Sequence, residues 1–380
     1  MGNRYDCSSC GGIMVYDIKS GKLKCPNCST EREIVSERPI IEHNYAEYKK
    51  TNRIETETES VENKESTTMV CKSCGATIEI SPEITATSCP YCNSHIVLAE
   101  KQEEAIVPDG IMPFKVDMNQ ANLNFMNWIK GKKLAPSALK NLYQKDKFLP
   151  VYMPYWTFDA DVQSYYKGQG GIYREETYRD DKGETHTRTV TDWYPTSGEV
   201  GSSFDDIEVR AATTLDEKCM KSVGAFTTAS NLKGYAPEYM SGFTAERYTV
   251  PIETAHSEAV NIMENSMKKL AENDILRRYD TARVTSITSN FYNETYKHVM
   301  LPIYATSYGF KGKTYNVLIN GETGNVSGQY PKSYAKIAII VVAVIIVIAA
   351  LLMIMNKADA AEVYAYCQNM MGMCQYMLIA

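Results

Sequence analysis

Eight of the eleven cysteines in this 380-residue chain stand in four close pairs within the first 92 residues. Cys7, Cys10, Cys25 and Cys28 make one quartet; Cys71, Cys74, Cys89 and Cys92 make the second. Each quartet reads C-x2-C, fourteen residues, C-x2-C. A two-residue gap lets both thiolates of a pair reach one metal from a tight turn. The intervening stretch is long enough for a hairpin that returns the second pair to the first. Four thiolates give Zn2+ a closed tetrahedral shell with no open position for water or substrate, so the chemistry expected is structural, with two ions and no catalysis. A module of about 25 residues has too little core to fold alone, and metal binding supplies its folding free energy. Redox use of a C-x2-C pair is disfavoured, because each unit carries two pairs at ribbon spacing.

The remaining reactive side chains fit plainer roles. His95 follows Cys92 by three residues, but four thiolates already fill the metal's shell, and a surface histidine is expected. Cys219 is a lone thiol without a histidine nearby in sequence, which points to a small packed side chain rather than a nucleophile. Asp159 and Asp161 alternate with Trp156, Phe158, Ala160 and Val162. That period of two makes the carboxylates the solvated face of a strand, with cation binding or acid–base work as the alternative. Cys367 and Cys374 lie in a Met-rich tail and could form a disulfide in an oxidising compartment. Gly312-Lys313-Thr314 resembles the end of a phosphate-binding loop, but the glycine required five positions earlier is Ser307, and strand-like Tyr315 to Leu318 follows instead of a helix. No catalytic residue is assigned, and no enzyme is expected.

The elements that must hold these residues follow from patterning. The quartets repeat at an offset of 64 residues, with Gly11 matching Gly75 and Pro26 matching Pro90. Met14-Val15-Tyr16 and Ile78-Glu79-Ile80 supply the ribbon strands. Ribbon 1 is placed at 1–30 and ribbon 2 at 69–99. Residues 31–68 between them hold ten acidic and six basic residues without sustained apolar periodicity, and are expected to be a flexible linker. A globular α+β domain, rich in β-structure, occupies 105–330. Within it the spacing predicts helices over Asn119 to Ile129, over Ser137 to Gln144 with Ser137 as N-cap, and over Glu253 to Arg278. Strands are expected over Leu149 to Val162 and Val299 to Val326, the latter turning around Asn320 to Gly324. A hairpin over Ile172 to Tyr194 turns at Asp180-Asp181-Lys182-Gly183. Leu149-Pro150-Val151-Tyr152 echoes Leu301-Pro302-Ile303-Tyr304, as two similar strands of one sheet would. Residues 337–355 are apolar, without charge or proline, and long enough to cross roughly 30 Å of hydrocarbon as a helix. A short tail, 356–380, follows.

Net charge is −6, which provides no general attraction to nucleic acid or to an anionic membrane. No apolar stretch precedes the first cysteine, and Asp6 breaks the myristoylation pattern. Lys311, Lys313, Lys332 and Lys336 precede the apolar run, while Lys357 alone flanks its far end. That bias keeps the N-terminal part in the cytoplasm and sends the tail outside, and thiolate ligands want the same reducing compartment.

Several blocks in this order carry a resemblance: the two quartets, Tyr152-Met153-Pro154-Tyr155-Trp156-Thr157-Phe158-Asp159-Ala160, Tyr239-Met240-Ser241-Gly242-Phe243 with Arg247-Tyr248, Leu301-Pro302-Ile303-Tyr304, and Ile319-Asn320-Gly321-Glu322-Thr323-Gly324. Over residues 1 to 355 the chain resembles bacterial membrane proteins with TFIIB-type zinc ribbons, the YdjG-like type of Bacillus. Such proteins often carry the label primosomal helicase PriA through the ribbons alone; the motor that label requires is missing from this sequence. The resemblance implies a membrane platform that recruits cytosolic proteins, phage-shock-type proteins among them, in protection of the envelope. The expected function is therefore a membrane-anchored adaptor. The alternative is a zinc-ribbon nucleic-acid binder serving replication or transcription. Charge argues against it: ribbon 1 has four basic and two acidic residues to Thr30, but ribbon 2 has only Lys72 against Glu79 and Glu83, the linker is net acidic, and no basic stripe with interleaved aromatics appears.

Overall fold

The computed structural model of the chain describes residues 5–36, 38–55, 67–70, 77–80, 84–88, 95–97, 106–141, 148–213, 215, 217–356 and 368. In chain order, three short strands, β1 (Val15–Asp17), β2 (Lys22–Lys24) and β3 (Glu31–Arg32), form the antiparallel sheet of the first ribbon. Next come β4 (His43–Asn44), α1 (Tyr45–Glu55), β5 (Thr67–Val70), β6 (Thr77–Ile80), β7 (Ile84–Ser88), β8 (His95–Val97), β9 (Gly110–Ile111) and α2 (Met118–Gly131). The body continues with β10 (Leu149–Arg179), β11 (Thr185–Arg210), α3 (Glu217–Ser222), α4 (Thr228–Asn231), β12 (Lys233–Gly234), β13 (Thr244–Glu246) and α5 (Ile252–Leu276). It closes with β14 (Thr281–Phe310), β15 (Lys313–Asn320), β16 (Val326–Gly328) and α6 (Tyr334–Asn356).

Two very long antiparallel strands, β10 and β14, form the spine of an 11-stranded sheet. The LPVY and LPIY echoes lie directly against each other, with Pro150 opposite Tyr304 and Tyr152 opposite Pro302. The free edge of β10 is shared end to end by β13 and β11; that of β14 by β4, β9 and β15. The strand expected to end at Val162 therefore runs on to Arg179, because polar and glycine residues continue the ladder after the apolar alternation stops. It turns at Asp180 to Gly183 as expected: Asp180 accepts from the backbone N–H groups of Lys182 and Glu184, and Gly183 takes φ +82°. Similarly, the strand expected from Val299 begins at Thr281 and is broken by a turn at Lys311-Gly312 before β15. That turn and the strand after it leave no helix N-terminus at Gly312-Lys313-Thr314.

α5 lies on the sheet through a stripe at near-fourfold spacing, with Ala255, Ala259, Met263, Met267, Ala271 and Ile275 buried. The alanines let the helix approach Trp156, Phe158 and Val162 closely, and the Trp156 indole donates to Val250 O at 3.0 Å. α2 starts one residue before the predicted helix, capped by Asp117, which accepts from Gln120 N. Of the helix expected over Ser137 to Gln144, the described residues form a 3-10 helix, Ser137–Asn141, whose Leu139 is buried; Ser137 lies within it and does not cap it, and 142–147 lie outside the described residues.

The flexible linker expected over 31–68 is contradicted by its described residues 31–36 and 38–55. They form β3, β4 and α1, and α1 docks on the body: Tyr45, 2% exposed, stacks on His256 at 3.8 Å, and the Tyr48 hydroxyl donates to Glu253. Two tyrosines anchor a helix whose charged surface conceals any apolar period. Residues 56–66 lie outside the described residues.

Candidate metal centre

Ribbon 1 builds its site from two turns of the same backbone geometry. Cys7 N donates to Gly12 O at 2.7 Å and Gly11 N to Cys7 O at 2.8 Å; Cys25 N donates to Thr30 O and Ser29 N to Cys25 O, both at 2.9 Å. Each turn closes with a residue in the left-handed region, Gly11 at φ +71° and Ser29 at φ +61°. The strands β1 and β2 bring the turns face to face, so that the four Sγ atoms lie within 4.8 Å of one another. Cys7 and Cys28 are 3.4 Å apart, and Cys10 and Cys25 are 3.5 Å apart. Zn–S bonds of about 2.3 Å in a tetrahedron put sulfur atoms about 3.8 Å apart, so the cluster has the size for one ion.

Neighbouring groups pull the thiols of the quartet in opposite directions. The Ser9 backbone N–H holds Cys7 down to about 6, and the Thr30 hydroxyl, 3.2 Å from Cys28 Sγ, lowers that thiol too. Cys10 is pushed up to about 12: the Gly12 N–H favours its thiolate, but its sulfur neighbours and desolvation outweigh that. Four thiolates so close together need a positive ion to coexist. Gly12 supports the site in a way spacing did not show. A Cβ there would lie 2.7 Å from Asn27 Nδ2 and 3.3 Å from Cys25 Sγ; the Gly-Gly pair was the available signal.

The outer turns, Ser8 to Gly11 and Pro26 to Ser29, are solvent-facing and contain no Lys, Arg, Asp or Glu. The opposite side of the ribbon is clamped to the body. Tyr16 N donates to Ser241 O at 2.9 Å, Ser241 Oγ donates to Met14 O at 2.8 Å, and the Tyr16 ring meets Tyr239 edge-on at 5.3 Å. Cys71, Cys74, Cys89 and Cys92 lie outside the described residues. Only their surrounding strands β5 to β8 are described, and β7 pairs with β13 of the main sheet. The same holds for Cys367 and Cys374, and for the side chain of His95.

The other candidates resolve differently. Cys219 is buried on α3 among Met112, Val223 and Leu318, with Sγ 3.7 Å from Asn316 O, as a packed side chain would be. Asp159 and Asp161 are half-buried rather than a plain wet face. β10 meets irregularities in both neighbouring strands here, and the backbone enters the left-handed region at Asp206 (φ +52°) and Asn293 (φ +53°). Asp159 accepts from Asp206 N and Thr295 Oγ1; Asp161 accepts from Ser203 Oγ and Asn293 Nδ2. The two carboxylates thus pin the bulges on either side. Asp159, Asp205 and Asp206 approach one another, but Lys297 Nζ lies 2.8 Å from Asp206 Oδ1 and supplies the positive charge. At the hairpin tip, Asp180 is near Glu184 and His186, yet its carboxylate already accepts from two backbone N–H groups and pairs with His186 at 3.0 Å.

α6 rises from the body with most of its described apolar side chains exposed, among them Ile339, Ile346 and Val347, and one 18-residue stretch, Tyr334–Leu351, has the length and composition of a single membrane span. The chain is distantly homologous to a protein of Bacillus subtilis (strain 168) described as uncharacterized protein YdjG, at 24% identity over 334 residues, covering 88% of this chain and 92% of the relative. No family model matches the chain, and no solved structure matches it.

Proposed function

We propose that this chain is a membrane-anchored zinc-ribbon adaptor that holds cytosolic protein partners at the membrane in the envelope stress response, with two structural zinc ions and no catalytic centre. The N-terminal part and the body lie in the cytoplasm, α6 crosses once, and the tail lies outside. Phage-shock-type proteins are the partner class. The carrying observation is the orientation of ribbon 1. Its two exposed turns, which lack Lys, Arg, Asp and Glu, face outward while its other face is fixed to the body that leads into α6. A closed four-thiolate cluster stiffens those turns without offering the metal to a substrate, which suits a docking surface. Turns without Lys or Arg are also poor phosphate ligands, which weighs against the nucleic-acid reading. A second ribbon of the same chemistry would add a second contact from the same platform and gain avidity.

In-cell crosslinking tests the proposal by comparing the full chain with Cys7→Ser/Cys10→Ser and Cys71→Ser/Cys74→Ser forms. Partners captured by the native chain should be lost from one or both variants while membrane insertion is kept. An identical partner set in all three would remove the ribbons from recruitment and overturn the adaptor reading.

A further inference from the structure

Three segments distant in sequence converge where α6 leaves the body. The N-terminus of α6 is tied to the loop after α2: Ser333 N donates to Leu134 O at 2.7 Å, and Lys336 Nζ donates to Ala135 O at 2.7 Å and to Lys133 O at 3.4 Å. Trp128 on α2 meets Tyr330 edge-on at 5.9 Å, and the Lys132 ammonium lies 4.6 Å and 5.4 Å from their ring centres. Phe310 packs in one cluster with Ile129, Ala135 and Leu139, which brings the Lys311-Gly312-Lys313 turn to the same end. Among the described residues of these segments the charge is one-sided. Residues 118–141, 305–320 and 325–356 contain no Asp or Glu, in a chain whose net charge is −6. Lys133, Lys311, Lys313 and Lys332 are exposed.

We propose that this end of the body binds the anionic phospholipid headgroups of the leaflet that α6 enters. The inference rests on reading α6 as a membrane span. If α6 spans, its hydrogen bonds to the 133–135 backbone hold the lysines at headgroup depth, and Trp128, Tyr330 and the exposed Tyr334 stand where interfacial aromatics settle. Lys132 and Lys133 follow α2, and Lys311 and Lys313 bracket the turn between β14 and β15, so the fold adds their charge to that of Lys332 and Lys336 beside the span. A lysine held at an anionic surface contributes roughly fivefold to the attraction, and the effect is screened by salt.

The full chain, reconstituted in bilayers with spin-labelled phosphatidylglycerol or phosphatidylcholine as the probe lipid, tests this by the fraction of label immobilised at the protein. We expect the native chain to prefer phosphatidylglycerol several-fold. The preference should fall toward unity in about 1 M salt, where the screening length is about 3 Å, and in a Lys132→Gln/Lys133→Gln/Lys311→Gln/Lys313→Gln variant. The salt arm needs no variant and stands even if the substituted chain folds poorly. Incorporation without any preference, or a preference unchanged by both salt and substitution, would overturn the lipid inference alone. Failure to incorporate at all would overturn the span and the lipid inference with it.

Discussion

Lys297 sits in the middle of β14 with a side chain only 6% exposed, and its removal should be among the most damaging single changes in the body. Its ammonium lies 2.8 Å from Asp206 Oδ1, whose side chain is 4% exposed, and 3.0 Å from Glu42, which is 51% exposed. Asp206 Oδ2 accepts no hydrogen bond from the described residues, so that carboxylate depends on Lys297 for compensation. Burial alone would lower the lysine, but hydrogen bonds to Asp206 and Glu42 and the charges of Asp206 and Asp159 outweigh it and hold the group above its ordinary range. A group raised in the folded state stabilises fully below its unfolded value of about 10.4, so the contribution is complete at neutral pH and is lost only as alkaline pH passes the folded value. Replacing Lys297 with Met leaves the shape and strands a buried negative charge, at a cost of about 3–5 kcal/mol. For a body of this size that is a fall in Tm of roughly 6–20 °C. Thermal unfolding of the detergent-solubilised chain, zinc-loaded and free of chelator, measures it. Adding Asp206→Asn to Lys297→Met should recover more than half of the loss, because it removes the uncompensated charge. Glu42→Gln alone should cost no more than about 1 kcal/mol, as exposed pairs do. A Lys297→Met chain within a few degrees of the native Tm, or a double variant no better than the single one, would refute the buried-pair account.

Other predictions can be checked with simpler measurements. Cys7→Ser should reduce bound zinc by one equivalent per chain in elemental analysis, since a three-thiolate site at this position loses its closed shell. Tyr45→Ala should cost about 3 kcal/mol of local stability by removing a buried ring. Hydrogen exchange should then rise across Tyr45–Glu55 while α5 keeps its protection. Burial pushes His298 down to about 4, with its hydrogen bond to Ile106 O opposing the shift. Its contribution is present above the unfolded value of about 6.5 and is lost as pH falls toward 4, so His298→Phe should gain about 3 kcal/mol relative to the native chain between pH 7 and pH 4. A reporter fused after Ala380 should give an extracytoplasmic signal, and a cytoplasmic one would reverse the proposed orientation.

Features with a short sequence range were legible before the structure. The first quartet follows from spacing, the hairpin at Asp180 to Gly183 from turn chemistry, and α6 from an unbroken apolar run. The LPVY and LPIY echo even anticipated a strand pair, since both copies alternate in the same way across one sheet. Long-range matters were hidden. α1 carries Lys49, Lys50 and Arg53 among its eleven residues, and nothing local marks Tyr45 as buried rather than exposed. Asp159 and Asp161 looked like a wet face because alternation reports which side is apolar. It does not report that Asp206 N and Asn293 Nδ2 of the flanking strands fill the polar side. Lys297, between Tyr296 and His298, reads as an ordinary strand lysine until Asp206, 91 residues earlier in the chain, is placed beside it.

The corrected linker changes how an adaptor of this kind would work. A flexible tether would let ribbon 1 explore a wide volume, and recruitment would depend on effective concentration. Instead Tyr16 is part of the body's own aromatic core, with Tyr152, Tyr239 and Phe114, and α1 packs beside β14. The first metal turns therefore stand at a fixed place on the sheet. If the quartet binds an ion, its loss would loosen the ribbon and withdraw support from Ser241 and Tyr239 as well, coupling metal state to body stability through a few hydrogen bonds. A partner bound at the outer turns would in turn be held at a set geometry relative to the sheet. That arrangement favours a rigid platform over a searching arm, and it predicts that shortening the chain between α1 and β5 would leave ribbon 1 and its captured partners undisturbed.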